Sequence, residues 1–348
     1  MEKNRIFYIA LLLVAVLIVG YYAFIFGSMY MFFHSYDKPL YEAGEQKGAA
    51  FCGGCHQELY NQWSENSAHY GANSHERFES FRQKITGNVV TNFVIGDENC
   101  YSCMGPRDSV EGVNCEVCHG LVDPDLSIME VHDQKFKPGL EEMKKVDFCV
   151  PCHEFPLETG EGMSVYSEWQ VSEAAKQGLI CHDCHMEKRD NISYHGFDSI
   201  TRSRNVEKYT EYVNITDIEV DFPIFSLSIE NRITSHAIPP SGPTRLLVLE
   251  ISFLDSSGQE KHKVIEKFAK RFNLLPIVGI HPFMLQENTQ LQSGEVRQLN
   301  YTLPSDLEGQ IDRAVVTLRF YDVSDDYLGE LSKAHWVSEP VLEMEVNF

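Results

Sequence analysis

The rhythm of apolar residues divides the chain into three stretches. The first is a charge-free apolar run from Ile6 to Phe33, preceded by Lys3 and Arg5. It exceeds the roughly 20 residues that span a bilayer. It also exceeds the roughly 7–15-residue hydrophobic segment of a secretory signal. No cleavage site of the A-x-A type stands out, although Gly27-Ser28 could still hide a processing site. The length therefore favours an uncleaved transmembrane helix, residues 1–34. Positive charges ahead of it hold its start on the cytoplasmic side, so that the rest lies outside. From 35 to 205 apolar periodicity is weak, with short helical stretches at Leu140–Val146 and Val165–Lys176 among loops. From Val206 the period becomes two: Phe225, Leu227 and Ile229, then Leu247, Leu249, Ile251 and Phe253. It recurs at Val316, Leu318 and Phe320, and at Leu342, Met344, Val346 and Phe348. Such alternation predicts half-buried strands. Asp255-Ser-Ser-Gly258 reads as a hairpin turn. The expected architecture is an N-terminal transmembrane helix, a mainly helical, loop-rich middle domain, and a C-terminal antiparallel β-sandwich over 206–348.

Composition changes this picture little. The chain has 348 residues, 43% hydrophobic, with a formal net charge of −22. That allows a packed core and excludes the basic footprint of a nucleic-acid binder. The acidity suits solubility or docking to a basic partner protein. No Ser-His-Asp arrangement, phosphate loop or nucleotide fingerprint is present. Asn191-Ile-Ser, Asn214-Ile-Thr and Asn300-Tyr-Thr fit a glycosylation acceptor pattern, relevant only in a host that glycosylates exported chains.

The cysteines carry the chemistry. All ten fall into C-x-x-C pairs: Cys52/Cys55, Cys100/Cys103, Cys115/Cys118, Cys149/Cys152 and Cys181/Cys184. Four pairs are followed at once by a histidine: His56, His119, His153 and His185. C-x-x-C-H is the covalent haem attachment signal. Two thiols add to the two vinyl groups of one haem, and the adjacent histidine reaches the iron as proximal ligand. Zinc sites also use paired cysteines, but do not require a histidine after each second one. A disulfide framework suits an exported chain yet leaves the histidines unexplained. Four c-type haems are therefore expected. The pair Cys100/Cys103 is followed by Met104. Three readings stay open there: an attached haem with Met104 on its iron, an attached haem with an open iron, or no haem and a dithiol or disulfide. Retention of both cysteines at haem spacing favours a fifth haem.

Each iron with two protein ligands needs a further side chain. Candidates among the remaining histidines are His69, His132, His195 and His236, the last within Ser235-His236-Ala237-Ile238-Pro239-Pro240. His75 and His182 are weaker candidates, and His34, His262, His281 and His335 are read as structural.

Cys52-Gly-Gly-Cys55-His56, followed by Tyr60, Trp63, Ser67 and His69, resembles the opening of multihaem cytochromes related to the tetrahaem carrier of ammonia oxidisers. Gly112-Val-Asn-Cys115-Glu-Val-Cys118-His119-Gly120 is similar to a second signature of that group. Trp169 with Gly178-Leu-Ile-Cys181-His-Asp-Cys184-His185-Met186 is similar to a third. The run His236-Ala-Ile-Pro239, with Gly242 and Arg245, resembles a β-domain attached to many of these proteins. The resemblance covers roughly residues 50–325. It implies closely stacked, mostly bis-histidine haems, with the histidine before the proline reaching back to one of them. Met104 departs from the pattern.

The expected function is that of an electron relay outside the cytoplasm. It would be anchored in the cytoplasmic membrane and would exchange electrons with partner proteins such as a quinol-oxidising complex or a terminal reductase. A homo-oligomer is compatible with this reading. Two alternatives remain: a reductase or oxidase of a small nitrogen or sulfur compound at an open haem near Cys100/Cys103, and a filament-forming extracellular cytochrome.

Overall fold

Two of the short helices begin at a capping side chain, Asn114 before Cys115–His119 and Ser172 before Glu173–Lys176. The computed structural model describes residues 8, 11–24, 27, 47–72, 82, 103–105, 110–120, 143–155, 163–197, 206–240, 245–273, 284–321 and 337–348. Residues 11–24 are helical, with Leu17 and Phe24 exposed to 71% and 74%. Tyr8 and Gly27 are helical as well. Among the described residues no helix is long and apolar enough to cross a membrane. The expected N-terminal transmembrane helix is thus corrected. Apolar composition alone does not make a span, which also needs a helix of sufficient length.

The mainly helical middle domain is corrected as well. Among the described residues, the helices between 47 and 197 with both ends described run for four to ten residues. The helix read at Val165–Lys176 is two pieces, Val165–Gln170 and Glu173–Lys176. Ser172 breaks it by acting as N-cap, its Oγ accepting from Ala175 N at 3.2 Å. Of the stretch read as helix at Leu140–Val146, Leu140–Glu142 lie outside the described residues, Met143 is helical, and a 3-10 turn follows at Val146–Phe148. Two antiparallel ribbons lie between the helices: β1 (Glu154–Phe155) with β2 (Met163–Ser164), and β3 (Lys188–Arg189) with β4 (Ile192–Ser193).

From 213 onward the period-two residues form strands. β5 (Val213–Asp221), β6 (Ile224–Asn231) and, later, β11 (Val296–Thr302) make an antiparallel sheet with β6 in the centre. β7 (Leu246–Leu254) and β8 (Glu260–Phe268) join β12 (Arg313–Tyr321) and β13 (Val337–Asn347) in a second, ordered β13-β12-β7-β8. The Asp255–Gly258 turn joins β7 to β8. Phe225, Leu227 and Ile229 of β6 and Leu247, Leu249, Ile251 and Phe253 of β7 are all buried to within 1%. They share one core with Val316, Leu318 and Phe320 of β12. Phe225 and Phe253 meet edge to face at 5.2 Å. Each such side chain contributes about 1.5–3 kcal/mol on burial. A further ribbon, β9 (Lys270–Asn273) with β10 (Met284–Asn288), leaves the end of β8. It carries Lys270 to the N-terminal part of the chain.

Candidate haem-binding sites

One helical turn places residues i, i+3 and i+4 on the same face. That is where a C-x-x-C-H motif needs its two thiols and its imidazole. The third and fifth motifs form the helices Cys115–His119 and Cys181–His185. In the fourth, Cys149 precedes the helix Val150–His153, and His153 N donates to Cys149 O at 3.1 Å. The first motif leaves the helix Ala49–Gly53 through a turn closed by His56 N donating to Cys52 O at 2.8 Å. Asn114 caps the third motif, accepting from Glu116 N and Val117 N at 3.1 and 3.2 Å. Asp183 of the fifth reaches back to Ile180 N at 2.8 Å.

Two carboxylates, Glu116 buried and Glu111 half-buried, join the first motif to the third. Glu116 Oε2 accepts from Gly48 N at 2.9 Å, and Glu111 Oε2 accepts from Ala49 N and Asn114 Nδ2, both at 2.8 Å. The segment after the second motif approaches backbone to backbone. A Cβ on Gly105 would lie 2.0 Å from Gly112 O, and one on Gly112 would lie 2.4 Å from His69 O. Both glycines have positive φ, so this packing requires glycine twice over.

Three histidines face a motif histidine across a constant gap. The ring centres of His69 and His153 are 6.1 Å apart, those of His119 and His195 6.2 Å, and those of His185 and His236 6.3 Å. The last two pairs are near parallel, at 23° and 14°, and the first is near perpendicular at 81°. A metal between two imidazoles has bonds of about 2.0–2.1 Å, and a ring nitrogen lies about 1.1–1.2 Å from its ring centre. The centroids then stand about 6.3 Å apart. The gap fits one iron with an axial imidazole on each side. Among the described residues no group of three or more His, Cys, Asp or Glu converges as a metal-ion cage. The described histidines named above meet as facing pairs.

The distal rings are held by their other nitrogen. His195 Nδ1 pairs with Ser193 O at 2.7 Å, His236 Nδ1 with Ala237 O at 3.0 Å, and His69 Nδ1 with Ser67 Oγ at 3.3 Å. A proton on Nδ1 leaves the Nε2 lone pair for a metal. Gln62 Oε1 fixes the His195 backbone by accepting its N–H at 3.0 Å. Burial lowers His69, His119 and His153 to about 4, and lowers His195 and His236 as well. A neighbouring histidine adds to the effect at His69, His119, His153 and His195. These rings are neutral near pH 7, the form that binds metal.

Cysteines of different motifs lie side by side. The thiols of Cys52 and Cys115, of Cys149 and Cys181, and of Cys103 and Cys152 are within hydrogen-bonding reach. Cys103 Sγ also donates to Pro151 O, inside the fourth motif, at 3.5 Å. Burial raises the Cys118 thiol to about 11, and Cys118 is close enough to act on both Cys149 and Cys152. None of the nine described cysteines is in a disulfide. The first motif thus adjoins the third, the third adjoins the fourth, and the fourth adjoins the second and the fifth.

The crystal structure of a penta-heme cytochrome c552 from Thermochromatium tepidum is similar to this chain. The match covers 87% of this chain and 99% of that one, with a TM-score of 0.60 and 18% sequence identity. At that identity the likeness is one of fold. No protein-family model and no curated protein sequence matches the chain.

The remaining sequence candidates fall elsewhere. His56 lies near His119 and His195, lowering both further. Cys103 and Met104 are both helical. Cys100, His132, His75, His34, His281 and His335 lie outside the described residues. His182 Nδ1 is buried with no hydrogen-bond partner. His262 belongs to β8, beside Phe253 at 5.9 Å. Sequence reading missed Glu111, Asn114, Glu116, Glu168 and Lys270. Asn114 carried a legible signal, an N-cap type directly before a helical motif; the others act across long separations and carry none.

Proposed function

We propose that the chain is a multihaem c-type cytochrome that relays electrons between partner proteins outside the cytoplasm. The observation that carries this reading is the trio of histidine pairs. Each pairs a residue directly after a C-x-x-C with a distant histidine at the spacing of two axial ligands. In this assignment Cys149/Cys152 with His153 and His69, Cys115/Cys118 with His119 and His195, and Cys181/Cys184 with His185 and His236 each hold one bis-histidine haem. Cys52/Cys55 with His56 hold a fourth. Cys103, against the fourth motif, supports a fifth on Cys100/Cys103.

Haem supplies a one-electron couple whose potential the protein sets by axial ligand, burial and nearby charge. The protein's part is to hold the attachment points together. With thiols of successive motifs in contact, thioether edges of neighbouring haems would adjoin, the arrangement electron tunnelling needs. The fourth motif is the junction of the path. Redox partners on either side would be a quinol-oxidising complex and a terminal reductase.

Met104, standing where the other four motifs have histidine, favours a second reading: an open iron at that site that binds a small nitrogen or sulfur compound. Intact mass of the mature protein tests the haem assignment. We expect the polypeptide plus five haem increments; four would remove the Cys100/Cys103 site. A polypeptide mass lowered by the hydrogens lost to disulfides would replace the haem reading with cross-linked motifs. Redox titration should then show several overlapping one-electron steps, and carbon monoxide binding by the wild-type protein would mark the open iron.

A further inference from the structure

We propose that Glu168 is a positioning residue for His236, and that Lys270 is the counter-charge that keeps Glu168 in place. Through this pair the sheet region sets the sixth ligand of the haem on Cys181/Cys184. The inference rests on the haem reading above.

The helix Val165–Gln170 presents Glu168 toward the sheet region. Its Oε2 accepts from Ala237 N at 2.9 Å, the peptide directly after His236. Its Oε1 accepts from Ser164 Oγ at 2.7 Å and lies 3.2 Å from Lys270 Nζ. Lys270 also donates to Ser164 Oγ. Lys270 is 4% exposed and Glu168 18%. A lysine so buried is held there by its partners, because an isolated ammonium in that position would be strongly disfavoured. The two residues are 102 apart in sequence and come from different parts of the fold, one from the helical motif region and one from β9.

The other bonds of the loop come mostly from the sheet side. Asn231 Nδ2 donates to His236 O at 3.2 Å, and Ile238 and Leu291 exchange backbone bonds at 2.9 and 3.0 Å. Ala174 N donates to Thr234 O at 3.2 Å, a second tie from the motif region. Asn231 and Glu168 hold the same peptide, the one directly after His236, by its C=O and its N–H, and of the two only Glu168 comes from the motif region. Its carboxylate therefore fixes where the imidazole points relative to the fifth motif.

The test uses the mature holoprotein. Its intact mass first establishes that haem is attached, so a failure of the haem reading is seen before any variant is made. His236→Ala sets the reference: one haem per chain turns high-spin and binds carbon monoxide. Glu168→Ala should give the same one-haem signature with the haem mass unchanged. Lys270→Met should do so to a lesser extent. Glu168→Gln keeps an acceptor for Ala237 N, so the haem should stay low-spin, while loss of the negative charge raises the midpoint potential of one component only. This mild variant keeps the proposal testable if the alanine variant does not fold. Unchanged spectrum, carbon monoxide binding and potentials in both Glu168→Gln and either of the stronger variants would overturn it.

Discussion

The two halves of the molecule are held by different forces. Nineteen buried apolar residues pack into one core between the two antiparallel sheets of the C-terminal part. Among the described residues before 200, seven hydrophobic side chains are buried: Ala49, Trp63, Ala72, Val113, Val117, Ala174 and Tyr194. In their place the N-terminal part uses side-chain bonds to backbone: Trp63 Nε1 to Val113 O at 3.0 Å, Trp169 Nε1 to Leu179 O at 2.9 Å, and the carboxylates of Glu111 and Glu116. Seven buried hydrophobic side chains alone would not repay the chain entropy of ordering this part by apolar burial. Haem faces would complete it. The difference teaches that in one half the sequence encodes a packed interior, and in the other it encodes places for a non-protein interior.

Withholding haem is the strongest way to break this contrast. Chain made without haem attachment should keep the C-terminal sheets and lose order in the motif region. Limited proteolysis followed by mass spectrometry should leave a resistant fragment beginning near 206, whereas the holoprotein resists throughout. Equal resistance of the motif region in both forms would show that its fold does not depend on haem.

A core truncation examines the other half. Leu249, in the central part of β7, is fully buried. Leu249→Ala should cost about 2–5 kcal/mol, through lost transfer energy and the cavity left behind. Thermal melting followed by circular dichroism should fall accordingly, while the haem absorbance below the melt keeps its wild-type form. A haem spectrum altered at ambient temperature would show that the two halves do not separate as the contrast requires.

What could be read from sequence follows the same division. The alternation at Phe225–Ile229 and Leu247–Phe253 lands on β6 and β7 because a strand exposes its two faces in strict turn. The C-x-x-C-H spacing lands on single helical turns because the chemistry is local. Pairing is not local. Nothing near His69 marks it as the partner of His153, and His195, near the fifth motif in sequence, faces His119 of the third. No sequence neighbour marks Glu168 or Lys270, since only the tertiary fold brings them together. The apolar run from Ile6 to Phe33 misled in the opposite way, its composition announcing a span that no described helix makes. Val165–Lys176 had a helical composition throughout, yet the cap at Ser172 overrode propensity.

The smallest effect is expected at the edge of the sheet region, where neither a core nor a cofactor is at stake. In the turn between β7 and β8, Asp255 Oδ1 accepts from Ser257 Oγ at 2.6 Å, Ser257 N at 2.9 Å and Gln259 N at 3.0 Å, and Lys261 Nζ lies 2.9 Å from Oδ2. The Ser257 hydroxyl first, then Lys261, hold its carboxyl below the usual carboxylate range. A carboxyl lowered by folding stabilises the native state at pH above its unfolded value of about 3.9, and that contribution is lost as pH falls toward the folded value. Asp255→Asn keeps the acceptor and removes the charge. Its melting temperature should lie slightly below wild type at pH 7, the gap should narrow as pH is taken below about 4, and the haem spectrum should not change. The pair stays in partial contact with solvent, so added salt should also narrow the gap at pH 7. A gap that ignores both pH and salt would assign the loss to turn geometry, leaving the charge without a role.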